Sequence, residues 1–401
     1  MTKVKTTSSS IFTVAVHAGE RAPKAEFTPV ATPIYHSSSF FYDKIETLDA
    51  AFAGTYPGPM YARYGNPTVS ALETAVAALE GGEAALAYSS GMAAIHGALL
   101  GAGLRAGSAV VAAHDVYGAT YALLSTVLKD LGVTVQFVDA TDVEATAGVV
   151  RETRPAALIV ETLSNPLLKI ADLPRLAMAA HDGGAALLVD NTFATPYLCR
   201  PLGHGADYVI HSATKYLGGH GDVLGGVVVT SAERRQRLFE INKLIGSNLG
   251  PQEAWLVLRG IKTLPLRVQR QCENALLVAR WLSSQPAVCR VHFPGLASHP
   301  QYGLATRMLD RGLSGAMVSF ELKDGDRQRV FRFMEALKLV LPATTLGDVY
   351  SLVLYPAMSS HRALDPEVRR RYGINDGLVR LSVGIEDPAD IIADLEHALK
   401  A

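Results

Sequence analysis

Residues 211–226, HSATKYLGGHGDVLGG, place one lysine, Lys215, among the hydroxyls of Ser212, Thr214 and Tyr216 and follow it with glycines. An amine packed beside small side chains can have its pKa lowered and then attack a carbonyl as a Schiff-base nucleophile. Ser212 and Thr214 can donate to a phosphate from the same loop. A second phosphate-binding candidate is SSGMAA (89–94). There Gly91 allows close backbone approach, and Ser90, Gly91 and Met92 open a helix whose free N–H groups attract an anion. A carboxylate, Asp190, ends the apolar run ALLVD. Each has a plainer alternative. Most lysines are solvated, SSGMAA is neither GxGxxG nor a Walker loop, and Asp190 could cap the residues after it.

The elements around these residues explain why they should meet. From residue 66 the chain alternates helical and strand-like stretches. NPTVSALETAVAALEGG (66–82) has Leu72, Val76 and Leu79 at helical spacing, with Asn66–Pro67 as a start and Gly81 as a stop. Apolar strand-like runs recur at 83–90, 108–114, 133–139, 156–163, 185–190 and 206–211, with helical patterns between them. Strands apolar throughout and separated by helices predict a mostly parallel sheet covered on both faces. In such sheets ligands sit outside the carboxyl ends of the strands. Ser89–Gly91, Glu161 with Asn165, Asp190, and His211–Lys215 all fall where a strand gives out, so one rim collects them. A phosphate cradle, a carboxylate for a protonated ring nitrogen and a Schiff-base lysine together describe a site for pyridoxal 5'-phosphate.

After VLGGVVVT (223–230) the alternation stops. A long helical stretch, 252–285, with Pro265 marking a kink, leads to strand-like runs AMVSFEL, SLVLYPA and GLVRLSVGI. The fold class expected is therefore α/β, with a smaller α+β unit closing the chain. The domains expected are an N-terminal extended segment (1–62), irregular and punctuated by Pro23, Pro29, Pro33, Pro57 and Pro59, a large cofactor-binding domain (63–255) and a C-terminal domain (256–401).

Composition sets the outer limits. The 401 residues are 49% hydrophobic and 19% charged, enough for a large core and too apolar for wholesale disorder. The formal net charge is −1 and no basic stripe stands out, so nucleic acid is not expected as a partner. No apolar run reaches the length of a membrane span, and the first twenty residues lack the core of a signal peptide. Three widely spaced cysteines, Cys199, Cys272 and Cys289, point to a reducing cytoplasm with neither a disulfide framework nor a zinc site. No metal pattern joins the 12 histidines.

The motifs TPIYHSSSF (32–40), YARYGNPT (61–68), SSGMAA, VYGATY (116–121), ETLSNP (161–166), VDNTFATPYLCRP (189–201), HSATKYLGGHGD (211–222), LGD (346–348) and GLVRLSVGIED (377–387) occur in this order. The chain thereby resembles the Cys/Met-metabolism family of pyridoxal-phosphate enzymes, which includes cystathionine γ-lyases, methionine γ-lyases, cystathionine γ-synthases and acyl-homoserine sulfhydrylases. The resemblance implies the aspartate-aminotransferase-like fold (fold type I). It gives Lys215 the Schiff base and the shuttling of substrate protons. It sets Asp190 against the ring nitrogen, Tyr117 against the ring face and Asn165 near the ring hydroxyl. Gly91, Met92, Ser212 and Thr214 would hold the phosphate beside Ser90, and Tyr61 and Arg63 would reach the phosphate of a neighbouring subunit. Arg380 would clamp the substrate α-carboxylate, with Thr345 and Asn165 close by. A homo-oligomer with shared sites, a tetramer built as a dimer of dimers, follows from the same resemblance.

The resemblance frays where substrate choice should lie. Methionine γ-lyases typically carry cysteine where this chain has Ala119, and cystathionine enzymes often carry glutamate where it has Thr344. VYSLVLYPAMSSHR (349–362) departs from the usual ESL…HPA…MTH pattern, bringing in Tyr350 and Tyr355. The reaction expected is γ-elimination on L-cystathionine or L-methionine. The alternatives are γ-replacement on an acylated homoserine and a non-catalytic binding protein on the same fold. A nucleotide-binding dehydrogenase is disfavoured, since no GxGxxG follows the first strand.

Overall fold

The computed structural model describes residues 9–20, 28–360, 362 and 365–401; Pro23 and His361 of the sequence motifs lie outside them. Seven strands form the larger sheet: β1 (Ala84–Tyr88), β2 (Ala109–Ala113), β3 (Thr134–Val138), β4 (Ala157–Glu161), β5 (Ala186–Asp190), β6 (Tyr208–Ser212) and β7 (Gly226–Thr230). Their order is β1-β7-β6-β5-β4-β2-β3. All pairs are parallel except the two made by β7. Because β7 is antiparallel to both neighbours, β1 runs the same way as β6. The carboxyl ends of β1, β4, β5 and β6 therefore share one rim. The central strands are buried on both faces, with Val160, Leu188, Val189 and Val209 fully enclosed, as a sheet covered on two sides requires.

Local chemistry sets the helices that flank this sheet. Asn66 accepts from the Thr68 N–H and Pro67 fills the first position of the helix Pro67–Glu80, which Gly81 closes at φ 72°. The Ser90 hydroxyl caps the helix Gly91–Gly101 by accepting from the Ala93 N–H at 3.1 Å.

A five-stranded sheet follows: β8 (Val288–His292), β9 (Met317–Leu322), β10 (Leu341–Pro342), β11 (Leu352–Leu354) and β12 (Leu378–Ser382), ordered β10-β11-β12-β9-β8. The strand-like runs flagged in the sequence are β9, β11 and β12. β8, with exposed Cys289 and Arg290, and the two-residue β10 carry too little apolar pattern to stand out. The stretch expected as one kinked helix is two: Pro251–Ile261 and Leu264–Ser283. Pro265 lies in the first turn of the second helix, where a missing N–H costs nothing, so it starts a helix instead of bending one. Leu264, Val268 and Cys272 of that helix join the core of the large sheet, and Ala275, Val278 and Leu282 join the core of the small one. The residues before 66, expected to be irregular, contain two short helices, Ile11–His17 and Ile45–Phe52.

Candidate active site

The shared rim opens into a cavity of about 460 Å³. β1 and β6 both pair with β7 at Gly226, which faces Tyr88 on one side and Ser212 on the other. A Cβ on Gly226 would lie 2.1 Å from the Ser90 carbonyl oxygen, and one on Gly91 would lie 2.8 Å from the Ser212 Cβ. The two glycines thus let the start of the Gly91–Gly101 helix close against the β6 loop. Gly91 and Met92 are first-turn residues, whose N–H groups have no acceptor within the helix. Ser212 and Thr214 line the same corner. The Thr214 hydroxyl is tied to Gly225, accepting from its N–H at 3.1 Å.

Two carboxylates stand side by side on the next strands, since Glu161 is the register partner of Asp190 across β4 and β5. Thr192 donates its N–H to Asp190 Oδ1 at 2.9 Å. Burial raises the Asp190 carboxyl above the ordinary range. Burial and the neighbouring Asp190 raise Glu161 well above it. Glu161 Oε1 accepts the Tyr117 N–H at 2.6 Å, holding Tyr117 at the start of the helix Gly118–Ala122 with its ring 43% exposed at the cavity.

Lys215 Nζ donates to Thr345 Oγ1 at 2.8 Å. Burial, then the positive charge of Arg380, lowers the amine pKa against an opposing pull from Asp348. Arg380 lies mid-sheet on β12 and is 3% exposed. Its Nη1 donates to Asn165 Oδ1 at 2.8 Å, and its Nε is buried without a partner. Burial brings its pKa down to about 10.

The cavity therefore gathers Ser90, Gly91, Met92, Tyr117, Asn165, Asp190, Ser212, Thr214, Lys215 and Arg380. Thr345 reaches it through Lys215. Tyr61 and Arg63 are not among the residues lining it. Arg63 lies over the rings of Tyr61 and Tyr64 and donates to the Lys243 carbonyl. Of the four unusual residues, only Thr344 lines the cavity. Tyr355 is packed in the small-sheet core at right angles to Phe331, and the Tyr350 hydroxyl donates to the His220 carbonyl at 3.2 Å. Glu161 stood on the rim in the sequence, yet nothing local marked its contact with Tyr117. Asp348, inside the LGD motif, is fully buried with both carboxylate oxygens unpartnered, a feature no spacing signals.

These features fit pyridoxal phosphate. A backbone corner that a Cβ would fill suits the phosphate, a strand-end carboxylate suits the ring nitrogen, and the depressed amine suits the aldehyde.

Comparisons agree. The family described as Cys/Met metabolism PLP-dependent enzyme matches residues 12–400. The chain is 44% identical over 393 residues to the L-methionine γ-lyase of Pseudomonas putida, covering 97% of each chain. It is 43% identical over 389 residues to the cystathionine γ-lyase of Bacillus subtilis, covering 97% of this chain and 98% of the other. Among solved structures, a cystathionine γ-synthase from Xanthomonas oryzae pv. oryzae, in complex with aminoacrylate and cysteine, superposes with a TM-score of 0.91 at 39% identity, covering 98% of each chain.

Proposed function

The chain belongs to the Cys/Met-metabolism PLP-dependent enzymes, and we propose that within this family it is a carbon–sulfur γ-lyase. Its substrate is L-cystathionine or L-methionine, which with one water is converted to 2-oxobutanoate, ammonia and a thiol. The observation that carries this reading is the Lys215 amine, which donates to Thr345 in the cavity that Asp190 and the half-satisfied Arg380 also line. The lyase names of the relatives support elimination over replacement.

Bound in the cavity, the cofactor supplies an electron sink for charge developing on the substrate carbon chain. The protein does the rest. Arg380 grips the α-carboxylate with the donors that Asn165 leaves free, which orients the α-carbon toward Lys215. Lys215 Nζ, deprotonated more readily than an ordinary lysine, takes the α-proton and later moves the β-proton. Thr345 accepts a hydrogen bond from that amine and aims it. Asp190 would pair with the ring nitrogen, and a positive charge there would offset the burial that otherwise favours the protonated acid. Gly91, Met92, Ser212 and Thr214 hold the phosphate beside Ser90. Tyr117, fixed through its backbone by Glu161, would cover the ring and could exchange a proton with the amine or leaving group. The apolar part of the wall, with Leu163, Phe193, Leu224, Leu346 and Leu354, suits a thioether chain.

Exposed apolar side chains between residues 30 and 61, including Phe41 at 89% and Ile45 at 73%, argue for a covered surface. They support the homo-oligomer that the resemblance implies, with a tetramer as its expected form and Tyr61 and Arg63 serving a neighbouring site. No helix among the described residues is long and apolar enough to cross a membrane.

The test is to incubate cofactor-loaded protein separately with L-cystathionine, L-methionine, and O-acetyl-L-homoserine plus a thiol. Oxobutanoate from either of the first two without added thiol is expected. Thioether formation from the third, with little oxobutanoate elsewhere, would make the enzyme a replacement catalyst.

A further inference from the structure

On the far side of the loop that carries Asn165 lies a second cavity, of about 540 Å³. Its wall draws on both sheets. Thr141, Leu167 and Lys169 come from loops of the large sheet. Arg290 and His292 come from β8, and Arg371 and Asn375 from the segment leading into β12. His299 and Gln301 complete it. Three cationic side chains and two histidines line this space, and no carboxylate does among the described residues. The cleft at the amino ends of β4, β5 and β6 differs, because its Arg234 is paired with Asp207 at 2.6 Å within the lining itself.

Compensation from behind the wall is incomplete. Lys169 is the exception, since its Nζ is ion-paired with Asp115 at 3.7 Å and Asp139 at 3.6 Å. Glu321 is already engaged, with one oxygen 2.7 Å from His292 Nε2 and the other accepting from Asn375 at 2.9 Å. Arg290 and Arg371 form no ion pair among the described residues. His299 is 8% exposed, and its Nδ1 accepts the Gln301 N–H at 3.2 Å. Burial and the cations nearby lower its pKa to about 4, so the ring is neutral with its single proton on Nε2. Two exposed guanidinium groups without an ion pair, beside a histidine N–H and around one space that no carboxylate lines among the described residues, are what a multivalent oxyanion satisfies.

We propose that this cavity binds a small phosphate dianion, free or as the phosphate group of a small ester, at a site separate from the cofactor's phosphate corner. Arg290 and Arg371 supply charge from opposite sides, His299 donates from the floor, and Lys169 closes the large-sheet side.

The experiment uses cofactor-loaded protein, in which the phosphate corner is filled. It is titrated with inorganic phosphate and, separately, with glycerol 3-phosphate, at ionic strength held constant with sodium chloride, and bound ligand is read by calorimetry. Saturable binding is expected, weakened tenfold or more in the R290A/R371A double variant, with γ-elimination in phosphate-free buffer within twofold of the parent. If only inorganic phosphate binds, the occupant is the free ion; tighter binding of the ester identifies an esterified one. Arg380→Ala separates this site from anion capture at the amino-acid clamp and should leave the titration unchanged. No saturable binding by the unmodified protein would overturn the proposal. So would binding that survives loss of both arginines, or that disappears in Arg380→Ala. If the double variant does not hold cofactor, Arg371→Gln on its exposed turn makes the same comparison.

Discussion

Arg380 and Asn165, 215 residues apart in the chain, are joined by a 2.8 Å hydrogen bond from Nη1 to Oδ1, while the Arg380 Nε stays buried and unpartnered. A guanidinium held at one end and unsatisfied at another is poised for a carboxylate, because leaving a buried charged donor unpaired is costly.

Replacing Arg380 with alanine should raise KM for the amino acid by roughly 10- to 100-fold, the value of a charge-assisted hydrogen-bonded pair. The visible absorbance of bound cofactor should be retained. Steady-state kinetics beside an absorbance spectrum checks both, and an unchanged KM would remove Arg380 from substrate binding.

The same variant carries a pH consequence. Arg380 helps lower the Lys215 pKa, and the amine reacts only when deprotonated. Without that positive charge the pKa rises, so the acid limb of the cofactor-loading rate should move to higher pH. A stationary limb would mean that the guanidinium does not tune the lysine.

Thr345→Val removes the acceptor 2.8 Å from Lys215 Nζ at nearly constant volume. Turnover should fall about 10-fold or more with little change in KM, as expected when a proton-transferring group loses its aim. Thr345→Ser should restore it, and equal losses in the two variants would assign Thr345 a packing role only.

Gly91→Ala should weaken cofactor binding by an order of magnitude or more, since the added Cβ would sit 2.8 Å from Ser212 Cβ and 3.1 Å from its Cα. Gly226→Ala, facing the Ser90 carbonyl at 2.1 Å, should do at least as much. Equilibrium dialysis against pyridoxal phosphate measures both, and parental affinity in either would mean that the corner does not hold the phosphate.

Glu161 links pH to stability. Its folded pKa is raised above the ordinary 4.5, so the folded state holds a proton that the unfolded chain releases. The stabilisation is full below the unfolded pKa and is lost as pH rises toward the folded pKa, at a slope of up to about 1.4 kcal/mol per pH unit. In cofactor-free protein, Glu161→Gln should flatten the fall of Tm with pH above 4.5 while keeping the oxygen that accepts the Tyr117 N–H. Melting curves across that range decide it, and parallel curves for parent and variant would count against the raised carboxyl.

The amino-acid order alone determined the alternation of strand and helix, the helix boundaries at Asn66 and Gly81, and the placing of Asp190, Ser212 and Lys215 at strand ends. These follow from burial patterns and backbone preferences that act over a few residues. Tertiary structure decided what depends on register and on packing between distant segments. The β4–β5 ladder set Glu161 beside Asp190. The closure of β12 and of the loop between β10 and β11 over the rim brought Arg380 to Asn165 and Thr345 to Lys215. Packing of one helix on two cores turned an expected kink at Pro265 into a new helix start. The cationic cavity is of the same kind. Lys169, Arg290, His299 and Arg371 share no spacing or motif, and only the meeting of two sheets gives them a common space.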